Sequence, residues 1–422
     1  GWNRADFDDS GWAQALEIPS PAVTHSWQAL PGSRLGPPQP PQRVYQHNGR
    51  WVLDFGKNFT GWVRCRFTGL QPGQEITIDY ADLDPDRLHL MHVPNKTNGF
   101  LTFNQKDVYV AGDQTEDVFC SKFSHHGFRY AVISGLTKAP ETKDAAAMMI
   151  TTDLPPAGQF RCSNELFNRI HEVTVRTCLS QAPAGVLGGG ETREHLGYGD
   201  GGSFLTGHLY NFRSDAFFRK WLRDWRDNQR EDGFLGHVAP EFYPAGGGPS
   251  WCGQASELVR RLHLYHGDRR AVEESYGALK QFVDFLERQT KEDLLAYYNP
   301  YKPGTRYKWY FLGDWTPPGT DPDKDQFVFE TPEQQAFFNN CYRILLWEQL
   351  AACAEILGDA PEAVRCRQRL AELRPLVHKT WWDAEKKTYR VKRQAYLVIA
   401  LLSRIMPEEL RPEILRQLEE DI

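Results

Sequence analysis

Apolar and polar residues alternate with a period of two from about Tyr45 to Thr152, and with a helical period from Ser163 onward. Val63, Cys65 and Phe67 alternate with Arg64, Arg66 and Thr68. A Leu70-Gln71-Pro72-Gly73 turn follows, and then Ile76, Ile78 and Tyr80 alternate with Thr77 and Asp79. Successive side chains of a strand point to opposite faces, so this pattern predicts hairpin strands with one buried face. Lys106 to Val110 and Phe128 to Ser134 repeat it, which fits a β-sandwich of about 100 residues.

Beyond Ser163, Leu166, Phe167, Ile170 and Val173 fall on one helical face. Asp215 is placed to cap a helix carrying Phe217, Phe218, Trp221, Leu222 and Trp225. Thr331-Pro332-Glu333-Gln334 joins a capping Thr, a Pro at the first helical position and a Gln at the third. That helix is predicted to reach Leu357, where Gly358 can stop it, and Asp359-Ala360-Pro361-Glu362 starts the next at once. Long helices on such short links are antiparallel neighbours. Eight or nine helical segments fit between Ser163 and Ile422. The segments 182–203, 232–254 and 298–326 are long and rich in Gly, Trp and acids. Long loops on a rigid scaffold are where chemistry usually sits.

Composition narrows the function classes. The chain has 422 residues, 49 Lys+Arg against 55 Asp+Glu, and a net charge of -6. It lacks the basic face of a general nucleic-acid binder. The longest apolar run, Ala395 to Leu402, is too short to span a bilayer and reads as a buried helix. The eight cysteines include no Cys-x-x-Cys pair and read as buried free thiols. Aromatic residues make up 13% of the chain, which suits a large core for most of the rings and also a sugar cleft, where a flat ring stacks on the apolar face of a pyranose. Five prolines between Pro31 and Pro41 predict a semi-rigid connector.

The densest chemistry lies in Gly188-Gly189-Gly190-Glu191-Thr192-Arg193-Glu194-His195-Leu196-Gly197-Tyr198-Gly199-Asp200-Gly201-Gly202. Glycines let backbone and ligand approach closely. Glu194 and Asp200, six positions apart, can serve as an acid and base pair or clamp a sugar hydroxyl. Arg193 can bind a hydroxyl or keep a neighbouring carboxylate ionised. A solvated surface loop explains the same residues. The stretch has no Gly-Lys-Ser/Thr ending, follows a helical pattern rather than a strand, and lacks a Gly-x-Ser-x-Gly elbow or zincin spacing. No metal or cofactor is implied. Two further stretches pair rings with turns or acids: Gly246-Gly247-Gly248-Pro249-Ser250-Trp251, and Gly313-Asp314-Trp315 after Tyr307, Trp309, Tyr310 and Phe311. Trp251 and Trp315 serve a cleft or a packed core equally well. Asp314 beside Trp315 suits a sugar, since the carboxylate takes hydroxyl protons while the indole covers carbon.

At these residues the sequence resembles the bacterial α-L-rhamnosidases, glycoside hydrolase family 78, over nearly its whole length. Trp51 to Trp62, with Asp54-Phe55-Gly56-Lys57-Asn58-Phe59-Thr60-Gly61, looks like the opening of the family's β-sandwich, and His126-Gly127-Phe128-Arg129-Tyr130 like a later strand. Arg193 to Asp200 is similar to the acidic catalytic loop, with Tyr198 where Trp is common. Lys220-Trp221-Leu222-Arg223-Asp224 and Gly313-Asp314-Trp315 also fit.

The resemblance implies an antiparallel β-sandwich followed by an incomplete α/α six-hairpin toroid. Residues 1–46 are then the end of a preceding jelly-roll domain plus a Pro-rich linker, 47–155 the sandwich, and 156–422 the first part of the catalytic domain. It further implies hydrolysis of terminal α-L-rhamnosides with inversion. Glu194 matches the general acid, expected to keep its proton in a water-poor pocket, and Asp200 a substrate-binding carboxylate. Tyr198, Trp251 and Trp315 fall near sugar-contacting rings. Gly188 stands where the family commonly has Asp, and Gln254 replaces the Asp of a Trp-x-Asp-Ala stretch. The general base is expected on a segment past the point equivalent to Ile422, so the chain reads as a fragment with little inverting activity of its own. The implied partner is a carbohydrate, with no nucleic acid or membrane; a homo-oligomer is compatible, and location is left open. Two other readings stay open, a non-catalytic carbohydrate-binding relative and another six-hairpin enzyme such as an unsaturated-uronide hydrolase or a phosphorylase.

Overall fold

The computed structural model describes residues 4–82, 85, 105–114, 116–183, 196–239, 241, 246–296, 311, 313–314 and 331–422, with backbone alone at 196–200 and 203. Eight antiparallel strands come first: β1 (Ser33–Leu35), β2 (Arg43–His47), β3 (Arg50–Thr68), β4 (Glu75–Ala81), β5 (Lys106–Val110), β6 (Glu116–Cys120), β7 (His126–Ser134) and β8 (Ala145–Thr152). The sheet runs β1-β8-β3-β7-β4-β5, with β2 and β6 also paired to β3. β3 is the spine. Its first part, Trp51–Asp54, pairs with β7 and β2, and its second part pairs with β8 along Gly61–Cys65 and with β6 along Arg64–Thr68. The register with β7 shifts between Asp54 and Phe59, which bends the strand and lets the sheet curl around Leu53, Phe55, Val63, Cys65, Phe67, Ile76, Ile78 and Phe128. The alternating residues read from Val63 to Tyr80 are the buried ones, whereas in β5 the alternating Val108 and Val110 are exposed, because that strand lies at the end of the sheet order.

Asp54, 1% exposed, anchors that bend. Its carboxylate accepts hydrogen bonds from Arg43 (2.7 Å), from Arg129 (2.9 and 3.1 Å) and from the Gly56 N–H (2.8 Å). Burial disfavours its charge, but these donors outweigh burial and bring its pKa down to about 2.

Nine helices of ten or more residues follow among the described residues: α1 (Glu165–Ser180), α2 (Tyr198–Asn211), α3 (Asp215–Asp227), α4 (Gln254–His266), α5 (Arg269–Arg288), α6 (Pro332–Leu357), α7 (Ala360–Trp381), α8 (Gln394–Ser403) and α9 (Arg411–Asp421). The even-numbered helices pack side by side in the order α2-α4-α6-α8, with the odd-numbered ones outside them. This is the inner and outer layering of an α/α toroid. α6 has the predicted ends. Thr331 and Gln334 form a reciprocal capping box, and Gly358 takes the left-handed conformation (φ 79°) that closes the helix. No described helix is long and apolar enough to cross a membrane.

Two local expectations are corrected. Ser214 is the N-cap of α3, without a capping bond from its side chain, and Asp215 is the first helical residue, where its charge still favours the positive end of the helix. Leu166, Phe167, Ile170 and Val173 do share the outer side of α1, but they stay half-exposed. Cys178, Val175 and Leu179 meet the barrel instead. Periodicity marks an apolar stripe; it does not say which stripe meets a neighbour.

The two parts are joined where β8 ends. The Thr152 N–H and hydroxyl both donate to the Ala182 carbonyl (2.9 and 2.7 Å), and the Thr151 hydroxyl donates to Leu179 O (2.9 Å). The last strand thus holds the point where the chain leaves α1 toward α2.

Candidate functional site

Successive contacts show that the inner helices run parallel. A Cβ at Gly202 would collide with the Gln254 amide, Thr206 meets Arg261, and the Tyr210 and Tyr265 hydroxyls bond at 3.1 Å, so α2 and α4 rise together. Gly253 lies against Leu346, and Ser256 and Glu257 bond Gln349, which aligns α4 with α6. Phe337 and Phe338 pack on Tyr396, while Cys341 lies beside Ser403, which aligns α6 with α8. All four inner helices therefore begin at the same end. The segments that enter them are 181–197, 228–253, 289–331 and 382–393, whereas those that leave them are 212–214, 267–268, 358–359 and 404–410. The long, Gly- and Trp-rich segments all open on one rim.

The rim is stitched by backbone. Leu196–Gly197 (β9) pairs antiparallel with Val238–Ala239 (β10), in the register Leu196↔Ala239 and Gly197↔Val238. The stretch that follows Glu194 is thereby tied beside His237. The His237 carbonyl accepts the Trp251 indole N–H at 2.9 Å, and the two rings meet edge to face at 6.1 Å. Trp251 is half-buried, its indole direction fixed by that bond. Asn228 holds the same turn, donating to Val238 O (3.1 Å) and accepting from Glu241 N–H (3.2 Å).

Gly202, Gln254 and Tyr342 meet from three neighbouring inner helices. Gln254 takes the space that a side chain at 202 would need, and its side chain also bonds the Tyr342 phenol. Burial pushes that phenol up, so it stays neutral. On the far side stands Asp314, half-buried. Desolvation raises its carboxyl, and Arg393, the residue before α8, opposes the shift.

The sequence-derived candidates divide into three groups. Arg193, Glu194 and Trp315 lie outside the described residues, as does Gly188. Tyr198 and Asp200 lie in the first turn of α2, described by backbone alone. Trp251 and Asp314 lie at the same rim as that turn. His237, Tyr342, Arg393 and the amides Asn339 and Asn340 escaped the sequence reading, as did the packing of Gln254 against Gly202. One signal was available, two adjacent amides inside the apolar run of α6, Phe337-Phe338-Asn339-Asn340-Cys341.

Residues 155–422 match the family described as bacterial alpha-L-rhamnosidase 6 hairpin glycosidase domain, and residues 45–151 the bacterial alpha-L-rhamnosidase concanavalin-like domain. A Formosa agariphila protein named alpha-L-rhamnosidase is 28% identical over 338 residues, 76% of this chain and 34% of its own length. A Streptomyces avermitilis protein of the same name is 27% identical over 341 residues, 77% of this chain and 30% of its own. The chain spans about a third of the length of these curated relatives. The alpha-L-rhamnosidase structure from Dictyoglumus thermophilum superimposes with a TM-score of 0.86 at 27% identity, covering 100% of this chain and 45% of that one. The Streptomyces avermitilis alpha-L-rhamnosidase complexed with L-rhamnose shares the fold, with a TM-score of 0.77 at 23% identity over 93% of this chain and 35% of that one.

Proposed function

The chain belongs to the bacterial alpha-L-rhamnosidase 6 hairpin glycosidase family, and from that premise we propose that it forms the acid side of a site that removes terminal α-L-rhamnosyl groups with inversion. One observation carries the reading: the segments bearing Glu194, Trp251 and Asp314 all enter the barrel at the same rim.

In this reading Glu194 gives its proton to the departing glycosidic oxygen as the bond to the anomeric carbon breaks. Arg193 and Asp200 hold sugar hydroxyls, and Asp314 accepts another. Tyr198, Trp251 and Trp315 cover the apolar faces and the methyl group of a 6-deoxy sugar. Inversion needs a water between the sugar and a second carboxylate, ~6.5–9.5 Å from the acid, that takes the water's proton. Four inner helices are described and a six-hairpin barrel has six, so we assign that base to a hairpin other than these.

The test has two arms. L-rhamnose is titrated into the 422-residue chain and into Trp251→Ala, with affinity expected to fall at least about fivefold in the variant, as for loss of one stacked ring. p-Nitrophenyl α-L-rhamnoside is then offered to the protein at its natural length, with NMR reading the anomer released first; the β-anomer is expected. Absence of both L-rhamnose binding and rhamnoside cleavage overturns the reading. Binding without cleavage at natural length shows a non-catalytic relative, and cleavage that needs phosphate shows a phosphorylase.

A further inference from the structure

Helix α6 buries three polar side chains in an otherwise apolar stretch: Asn339, Asn340 and Arg343, each 1% exposed. Buried polar groups need partners; Arg343 uses two of its nitrogens on the Glu287 carboxylate (2.6 and 2.5 Å), while its third and both asparagines reach one length of backbone. Arg343 Nη1 donates to the Asp293 carbonyl at 3.0 Å. Asn340 Oδ1 accepts from the Leu295 N–H and Nδ2 donates to the Leu295 carbonyl, both at 2.9 Å, so one side-chain amide stands in for a neighbouring strand. Asn339 Nδ2 donates to the Phe311 carbonyl at 3.3 Å. Each asparagine also donates to a carbonyl of its own helix, Gln335 O or Ala336 O, at 2.8 Å, which fixes its rotamer. Leu295 and Phe311 are themselves buried.

The order of these anchors matters. Going up α6 toward the rim, Arg343, Asn340 and Asn339 meet Asp293, Leu295 and Phe311 in turn. Leu295 and Phe311 are 16 positions apart in the chain yet are held by adjacent residues of α6, a neck pinned at one point of the helix. The returning strand of that neck leads within three residues to Asp314.

We propose that Asn339 and Asn340 are positioning residues, adjacent amides of α6 that close this neck and so fix the Phe311–Asp314 edge of the cleft. The proposal rests on the reading of Asp314 as a group that meets the sugar. Asn339 Oδ1 has no hydrogen-bond partner among the described residues, so the tie to Phe311 is the one bond this side chain makes there outside its own helix.

That geometry gives a test in which stability and binding move apart. Asn339→Leu keeps the branched shape, removes the orphaned oxygen and cuts the tie to Phe311. Its thermal midpoint is expected to fall only slightly, since the Phe311 carbonyl loses a donor while the unpartnered oxygen goes, whereas hydrogen exchange in peptides covering 311–314 speeds up about tenfold and L-rhamnose affinity falls at least about threefold. Exchange and affinity both unchanged would overturn the proposal, and so would a fall in affinity that tracks an equal loss of stability. If Asn339→Leu does not fold, Asn340→Asp keeps the acceptor for Leu295 N–H and loses the donor, and the same three readouts apply. If the wild-type chain does not bind L-rhamnose, the functional reading fails, and the exchange measurement still decides whether the amides hold the neck.

Discussion

The two ends of the barrel are built by different rules. At the turn end, 267–268 and 358–359 join helices with one left-handed glycine and one aspartate each. Gly267 and Gly358 close the helix before, and Asp268 and Asp359 accept backbone N–H bonds from the helix after. The backbone groups of these two turns find their caps within a few residues, and distant side chains only add to them, as Tyr276 does to Asp359 (2.9 Å) and Arg269 to the Ile356 carbonyl (2.6 Å). At the rim the ties are distant: Thr152 to Ala182, Leu196 to Ala239, His237 to Trp251, Leu295 to Asn340. A short turn satisfies its own backbone, whereas a cleft needs irregular backbone that other elements must satisfy. The turn end is specified by local chemistry, and the end that depends on tertiary contacts is the one at which the proposed site is placed.

Substitutions at the two ends should therefore separate function from stability. The largest effect is expected at Glu194. Glu194→Gln should lower rhamnoside cleavage by the protein at its natural length at least ~10²-fold, while chemical denaturation shifts by less than ~0.5 kcal/mol. A stability loss above about 2 kcal/mol would instead place Glu194 among structural residues.

Away from both ends, Asp54→Ala leaves two guanidinium groups without their shared carboxylate and should cost about 3 kcal/mol by denaturant titration. Because the folded pKa of Asp54 lies below the unfolded value, its contribution is present above pH ~4 and is lost as pH falls toward 2.

His208 sharpens the contrast on the turn-end half of α2. Its ring is buried among Phe212, Phe217 and Phe218, neither nitrogen has a hydrogen-bond partner among the described residues, and burial pushes its pKa down to about 4. Between that value and about 6.5 the unfolded chain takes up a proton that the folded chain refuses, so stability should fall by about 3 kcal/mol as pH drops through this window. His208→Leu should flatten the dependence seen in thermal melts. The smallest effect is expected at Gly358, where alanine in a left-handed backbone costs ~1 kcal/mol and should leave L-rhamnose affinity unchanged. A shift in affinity there would break the division between the ends.

The same division explains what could be read in the chain itself. Strands such as Val63–Phe67 and the helix from Thr331 to Gly358 are legible because alternation, caps and stops are local signals. The outer stripe of α1 misled because an amphipathic pattern carries no information about which surface a partner covers. The site was legible in part. Trp251 and Asp314 do stand at one rim, since unusual loops announce themselves by composition. Gln254 filling the place of a missing Gly202 side chain, and Asn340 standing in for a strand at Leu295, are agreements between residues 52 and 45 positions apart. Neither partner alone signals the other.

The long spine of the β region has a consequence for synthesis. β3 is 19 residues long, and Gly61 finds its partner at Met149, whereas each helical pair meets within one short turn. A ribosome making this chain leaves the β8 side of that strand unpaired until Thr152 has left the exit tunnel, but can release the helices two at a time into a growing wall. The interval in which a nascent chain is most open to capture by a chaperone, or by another copy of itself, thus closes before the first helix is complete.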